Sequence, residues 1–434
     1  MAEHARIETE TRVVHEVDLL ALAAGSPVRP VFWWQSPSSG RALAAVGAIA
    51  EVRATGPERF TTAEGKLRET LHAAGPEAIA VGGFAFAHAD PLSAEWRELP
   101  AVRFFVPRLL WLCEGEVTRR VRLWRVGEEE ETAALLEAVE ESARTVHFEA
   151  PALHGPILPV ARGERRHWRE RVESARARIA AGSLAKVVLS RSRRLQLEAP
   201  AGASSLLARL AQIRPGCHHF WLGAGATDFL GSTPELLVSR RGGEVASGAI
   251  AGTARRGATP AEDASLGEAL LACPKSRHEH GLVVDHVLAA LAPVTSSLEA
   301  AESPRLLRLP EAQHLHTPVR GRLREPLDVL SLAARLHPTP AVCGAPAGLA
   351  YRLLEREEPD RGWYAGGVGW MGADGDGEVA VALRSALVDG TTLLLRAGAG
   401  IVAGSNPEAE LAETEVKLAA LVRGLVPRRS ERAA

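Results

Sequence analysis

Apolar residues recur every three to four positions in two parts of the chain, as they do on the buried face of a helix. Gly182 stands where the first of these helices would need a C-terminal cap, and Asn406-Pro407 supplies an N-cap and a first-turn proline for the second. The pattern therefore predicts a helix that ends near Gly182 and a final helix from Asn406-Pro407 to about Leu425. The two apolar sets are Trp168, Val172, Ala175 and Ile179, and Leu411, Leu418, Val422 and Leu425.

Continuous apolar runs at residues 78–87, 102–112 and 184–191 predict buried strands. Residues 379–387 and 392–395 flank Asp389-Gly390, a dipeptide typical of a tight hairpin turn. Thr259 to Glu262 (TPAE) has the form of a helix capping box. Strands joined by hairpins, with helices between them, indicate an α+β fold rather than a doubly wound parallel sheet.

A proline-rich segment without periodicity, residues 149–159, indicates a connector. It separates a sheet-forming N-terminal part, residues 1–155, from residues 156–434, which carry most of the candidate chemistry. We expect the two parts to form one intertwined structural domain.

The overall composition argues against several classes of protein. The chain has 434 residues, 46% of them hydrophobic and 24% charged, with a formal net charge of -2. Mixed charges without a basic stripe argue against a nucleic-acid partner. There is no secretory signal pattern and no apolar run of about eighteen residues, and the scattered cysteines form no CxxC pair. We therefore expect a cytoplasmic protein with no membrane partner, and a monomer.

Lys186 and Glu235 are candidates for acid–base chemistry. A lysine buried in the predicted strand 184–191 can act as a base, whereas on an edge strand it would only face water. A buried carboxyl at Glu235 can remain protonated and serve as an acid, but a surface turn also fits the pattern. The spacing leaves both alternatives open.

Several other charged side chains could bind a metal or an anion. Glu279, on a half-apolar predicted helix, needs a counter-charge, and the absence of HExxH favours Mg²⁺ or a salt bridge over Zn²⁺. Glu410, Glu413 and Lys417 share one face of the final helix, where they could hold a metal and an anion or form a solvated, paired face. Arg384, in the predicted strand before the hairpin, could bind a carboxylate.

Sequence motifs extending over about residues 160–425 carry a resemblance to a known family. In chain order they are LAKVVLSR from Leu184, GSTPELLVSR from Gly231, AIAGTARRG from Ala249, KSRHEH from Lys275, AQHLHTPVRG from Ala312, LHPTPAVCGAP from Leu336, RGWYAGGVGW from Arg361, VALRSA from Val381, AGAGIV from Ala397 and the Glu410–Lys417 cluster. They resemble motifs of the chorismate-utilising enzymes, and more closely those of the isochorismate synthase branch. FWWQSPSSG from Phe32 and FVPRLLW from Phe105 extend the similarity, less specifically, into the N-terminal third.

The resemblance implies large antiparallel sheets packed face to face with helices outside, and Mg²⁺-dependent conversion of chorismate to isochorismate. In that reaction water adds at ring carbon 2 and the hydroxyl at carbon 4 leaves. Lys186 would be the base and Glu235 the acid, while Glu279 and Glu413 would hold Mg²⁺, with Glu410 in support. The resemblance implies substrate contacts for Gly252, Thr253, His314, Thr317, Ala341, Val342, Arg384, Gly398, Ala399, Gly400 and Lys417.

Lys186 also bears on the nucleophile. Relatives that use ammonia typically carry glutamine there and work with a glutaminase subunit, so the resemblance implies water as nucleophile and no glutamine amidotransferase partner. Ala341 agrees, because the ammonia-using relatives tend to carry threonine. Two other readings stay open: a salicylate synthase, which goes on to eliminate pyruvate, and a non-catalytic chorismate-binding subunit. Menaquinone and siderophore synthesis are both possible pathways, and the N-terminal similarity slightly favours menaquinone.

Overall fold

The computed structural model describes residues 6–426, in which strands and helices alternate along the chain. The strands are β1 (Ile7–Val14), β2 (Val31–Gln35), β3 (Arg41–Ala54), β4 (Ile79–Phe84), β5 (Val102–Glu114), β6 (Val117–Arg125), β7 (Lys186–Gln196), β8 (His218–Ala224), β9 (Thr227–Thr233), β10 (Leu236–Arg241), β11 (Glu244–Arg255), β12 (Thr295–Ala300), β13 (Arg305–Arg308), β14 (Ala312–Leu323), β15 (Gly344–Ala345), β16 (Gly367–Gly372), β17 (Gly377–Val381), β18 (Ser385–Asp389) and β19 (Thr392–Ile401).

The helices are α1 (Leu19–Ala24), α2 (Arg59–Ala74), α3 (Glu129–Ala143), α4 (Arg162–Ala180), α5 (Ala203–Ile213), α6 (Pro260–Ala272), α7 (Pro274–Leu291), α8 (Val329–Leu336), α9 (Ala347–Glu357) and α10 (Pro407–Leu425). Short 3₁₀ turns occupy Ala94–Trp96 and Ala292–Val294. Each helix within residues 6–426 is too short or too polar to cross a bilayer.

All the named strands are hydrogen-bonded into one antiparallel network. From one end the order is β15, β7, β19, β18, β9, β8, β2, β3 and β5. Beyond β5 the network divides, with β6 and β1 on one branch and β4, β16, β17, β10, β11 and β14 on the other. The antiparallel pairings confirm the predicted α+β architecture.

Two of these pairings join the N-terminal and C-terminal parts of the chain. Strand β2 pairs with β8, and β4 pairs with β16. Residues on either side of the segment 149–159 therefore contribute to the same sheet.

Two hydrophobic clusters lie on the faces of this network. The larger contains aromatic side chains from strands distant in sequence, including Phe32, Phe84, Phe105 and Phe220. The second lies where α1, α3, α5 and α10 cover β2, β3, β8 and β19. Burial of a large apolar side chain contributes about 1.5–3 kcal/mol, so these clusters hold helices and sheet in register.

Most local predictions are confirmed, with one instructive exception. Helix α10 is capped by Asn406, whose side chain accepts from the N–H groups of Glu408 and Ala409. The Asp389-Gly390 hairpin connects β18 and β19. However, the single strand predicted over 379–387 is wrong: it breaks between β17 and β18, where Arg384 has a φ of 48°. That left-handed conformation is incompatible with a continuous strand.

Candidate active site

A cavity of about 110 Å³ lies where distant parts of the sheet network meet. Strands β7 and β19 contribute from one end of the network, β11 and β14 contribute from the other, and α7 and α10 supply further side chains. The structure brings most of the sequence-predicted residues together here. Those that line it are Lys186, Glu235, Gly252, Thr253, Glu279, His314, Ala341, Arg384, Gly398, Gly400, Glu410, Glu413 and Lys417.

Lys186 begins β7 and is 1% exposed, so the edge-strand alternative is wrong. Strands β15 and β19 flank β7 on its two sides and remove its edges from water. The Lys186 ammonium instead meets the Glu279 carboxylate, with Nζ 2.8 Å from Oε1. A buried lysine thus faces the cavity with one anionic partner.

A buried ionic network fixes the strand that carries Lys186. Glu358 accepts from the Ser190 N–H at 2.7 Å, and Arg361 donates to the carbonyl oxygens of Val188 at 2.5 Å and Val342 at 2.9 Å. Despite burial, the neighbouring arginines Arg361, Arg171 and Arg396 hold the Glu358 pKa down at about 2. This network anchors β7 within a few residues of Lys186, so the lysine has a defined position.

Glu235 lies in the link between β9 and β10 and is 4% exposed. Burial raises its pKa to about 7, although Lys186 and Arg384 both oppose the shift. A carboxyl with this pKa is largely protonated below neutral pH and can donate a proton. Lys186 and Glu235 thus reach one cavity from separate strands.

Three carboxylates line the cavity, and each is paired with a lysine. Besides the Lys186–Glu279 pair, Lys417 lies 2.6 Å from Glu413 and Lys275 lies 3.3 Å from Glu410. Burial raises the pKa of Glu410; burial also acts on Glu413, but the Lys417 ammonium outweighs it and lowers the Glu413 pKa. These pairs are arranged around the cavity wall rather than on a solvated helix face.

Lys275 is a cavity residue that the sequence analysis did not single out. It precedes Glu279 by four residues on α7, so the two share a helix face. That spacing inside KSRHEH was the available signal.

His314 and the neighbouring glycine bulge form another wall. The β11–β14 register shifts at Gly252, whose φ of 75° favours glycine. The His314 Nδ1 lies 3.1 Å from Thr253 Oγ1 and 3.3 Å from the Gly252 carbonyl oxygen. Burial, with Arg384 and Lys417 adding to it, lowers the His314 pKa to about 3, so the ring is neutral. Its Nε2 is buried without a hydrogen-bond partner within the described residues.

Arg384 enters the cavity from the break between β17 and β18. Its left-handed φ of 48° is uncommon for a residue with a side chain, and such conformations concentrate at functional sites. The nearest carboxylate in a salt bridge is Glu311, at 3.9 Å from Nε, which already pairs with Arg214 at 2.7 Å. The guanidinium is therefore available for an anion.

The side chains of Thr317, Val342 and Ala399 do not line this cavity. Thr317 is three residues from His314 on β14, and alternation places it on the opposite face, where it bonds the His280 ring at 2.7 Å. Val342 and Ala399 point into the hydrophobic core. Their predicted substrate contacts are corrected to a role in supporting the wall.

Gly400 offers a test of how closely this geometry is constrained. A Cβ atom there would overlap the Glu279 carboxyl and lie 3.0 Å from Lys186 Cε. We expect Gly400→Ala to displace the Lys186–Glu279 pair and lower kcat by about 100-fold, since small displacements of reacting groups have effects of this size. Gly404→Ala, where a Cβ meets nothing within 4 Å, is the matched control. Equal kcat for the two variants in a steady-state assay would contradict this.

Comparisons with known proteins agree with the site. The family described as "Chorismate binding enzyme" matches residues 2–426, and the chain belongs to that family. The "Salicylate biosynthesis isochorismate synthase" of Pseudomonas aeruginosa is 36% identical over 91% of this chain and 85% of its own length. "Isochorismate synthase MenF" of Bacillus subtilis is 30% identical over 97% of this chain and 94% of its own length. The solved structure of MenF, the menaquinone-specific isochorismate synthase from Escherichia coli, is similar with a TM-score of 0.80 and 31% identity, covering 97% of this chain and 94% of that one.

Proposed function

We propose that the chain is an isochorismate synthase, an isomerase that converts chorismate to isochorismate with Mg²⁺ as cofactor. The observation that carries this proposal is that Lys186 and Glu235, from separate strands, line one cavity with three lysine-paired carboxylates. The relatives that share this fold over most of their length are named as isochorismate synthases.

The two residues divide the chemistry between a base and an acid. Lys186, in its unprotonated form, accepts a proton from water as the water oxygen bonds ring carbon 2. The ring double bond shifts, the bond from carbon 4 to its hydroxyl breaks, and Glu235 protonates that hydroxyl so that it leaves as water. A Glu235 pKa of about 7 keeps much of the acid protonated near neutral pH.

The charges on the cavity wall suit a dianionic substrate. Lys186, Lys275, Arg384 and Lys417 are cationic, while Glu279, Glu410 and Glu413 are anionic and Glu235 is largely neutral below pH 7. The wall therefore carries about one net positive charge, which does not balance two substrate carboxylates. One divalent cation would reverse that deficit.

The donor set fits magnesium by its chemistry. Glu279, Glu410 and Glu413 offer carboxylate oxygens, the ligands that Mg²⁺ prefers. Within residues 6–426 no three His, Cys, Asp or Glu side chains are already gathered as a metal cluster. Each of the three carboxylates faces a lysine instead, so these side chains would turn from ammonium to metal. When bound, Mg²⁺ would neutralise and orient the ring carboxylate.

A product assay with and without chelator tests substrate, metal and reaction together. Pure protein with chorismate and Mg²⁺ is expected to give isochorismate, detected by chromatography. Treatment with EDTA should abolish turnover, and excess Mg²⁺ should restore it, because the cation is needed to balance the substrate charge. Full activity after exhaustive chelation would contradict the magnesium proposal while leaving the reaction intact.

The same assay separates the competing activity. A salicylate synthase would release pyruvate and salicylate from the same cavity, so coupled detection of pyruvate distinguishes the two. We expect isochorismate without pyruvate. The product could serve menaquinone or siderophore synthesis, and relatives of this chain are named for both.

A further inference from the structure

A second and larger space, of about 740 Å³, lies beside the catalytic cavity. It runs along β10, β11 and β14 and is bounded on its other side by the turn between β2 and β3 and by β17. We call it the outer groove. Pro234 and Ile250 contribute to the walls of both spaces, but Lys186, Glu235 and Arg384 do not line the outer groove.

Two buried polar side chains in the outer groove lack hydrogen-bond partners. Trp370 is 4% exposed and its Nε1 donor has no acceptor, while Glu378 is 5% exposed and its Oε2 acceptor has no donor. These residues are directly opposite each other on the paired strands β16 and β17, so their side chains leave the same face of the sheet. Buried polar groups are normally satisfied, and an unpaired one costs about 1–3 kcal/mol.

A hydroxyl group satisfies both atoms at once. It can donate to the Glu378 oxygen and accept from the Trp370 N–H. A purely donating group would leave the indole unsatisfied, and a purely accepting group would leave the carboxyl unsatisfied. The pair therefore favours a ligand with a hydroxyl.

The rest of the outer groove supplies an apolar middle and a cationic rim. Leu236, Ile250 and Leu307 form part of its walls. The rim carries exposed arginines that make no salt bridge within the described residues: Arg305, Arg320 and Arg322. Guanidinium groups bind carboxylates through paired hydrogen bonds. An apolar ring with a carboxylate on one side and a hydroxyl on the other matches this distribution.

We propose that the outer groove is a second ligand site that binds a small aromatic hydroxy acid of the hydroxybenzoate class. Its hydroxyl lies between Trp370 and Glu378, and its carboxylate lies at the arginine rim. The proposal concerns binding outside the catalytic cavity and does not depend on the reaction proposed above.

Calorimetric titration of the full-length protein with 3-hydroxybenzoate tests the site, with benzoate as the matched probe lacking the hydroxyl. We expect 3-hydroxybenzoate to bind roughly three- to tenfold more tightly than benzoate, as one or two satisfied hydrogen bonds would give. Trp370→Phe and Glu378→Gln should remove most of that preference. Arg384→Ala, which alters the catalytic cavity, should retain it.

Three outcomes would overturn the proposal. They are no saturable binding of either acid, equal affinities for the two acids, and loss of binding in Arg384→Ala with retention in Trp370→Phe. Thermal denaturation of the Trp370→Phe and Glu378→Gln proteins distinguishes lost binding from lost folding. If both unfold, the comparison of the two acids on the unaltered protein still decides.

Discussion

Replacing Lys186 with glutamine is expected to lower kcat for chorismate conversion by about a thousandfold, the middle of the range for loss of a general base. Glutamine can still donate to Glu279, which the lysine contacts at 2.8 Å, so the buried carboxylate keeps a partner. It has no lone pair basic enough to take a proton from water. The loss should therefore appear in kcat, with a smaller effect on KM.

Lys66→Gln provides the matched control for this substitution. Lys66 is exposed on α2, remote in sequence from every cavity residue, and its replacement should leave kcat unchanged. Circular dichroism and thermal denaturation check that both variants fold. A folded Lys186→Gln protein with ordinary activity would show that another group activates water, or that the chain is a non-catalytic subunit.

Replacing Glu235 with glutamine is expected to remove the acid limb of the reaction. The wild-type kcat/KM should fall as pH rises through about 7, because the acid must be protonated and its pKa is raised to that value by burial. Glu235→Gln should lower kcat by about 10²–10⁴-fold and abolish this dependence. A pH profile from 5.5 to 9 at roughly constant ionic strength measures both effects.

The stability of the Glu235→Gln protein gives an independent check of the same pKa. The folded-state pKa of about 7 lies above the ordinary value of 4.5, so the unfolded chain releases this proton first. The free energy of unfolding of the wild type should therefore fall, relative to the variant, as pH rises from 4.5 to about 7. Glu137→Gln, at an exposed position of α3, should show no such divergence. Parallel curves for Glu235→Gln and wild type would contradict a raised pKa.

Much of the local structure could be predicted from the sequence because its causes are local. The cap at Asn406, the capping box at Thr259 and the Asp389-Gly390 hairpin each depend on a few neighbouring residues. The resemblance to chorismate-utilising enzymes also selected residues that converge on one cavity. Their order along the chain did not indicate that convergence physically.

The remaining features depend on contacts between segments far apart in sequence. Lys186 is buried because β15 and β19 pair on either side of it, and no pattern within residues 184–191 contains that information. The break at Arg384 interrupts an apolar run that reads as one strand. Trp370 and Glu378 become adjacent only through the β16–β17 pairing, so the outer groove has no signature in the sequence.

The most direct test of the central claim is to follow the oxygen during turnover. Chorismate incubated with the pure protein and Mg²⁺ in H₂¹⁸O should yield isochorismate with a single ¹⁸O in its new hydroxyl, as mass spectrometry would show. That result follows if Lys186 activates solvent water while Glu235 expels the old hydroxyl. Unlabelled isochorismate, or chorismate recovered unchanged, would contradict the account.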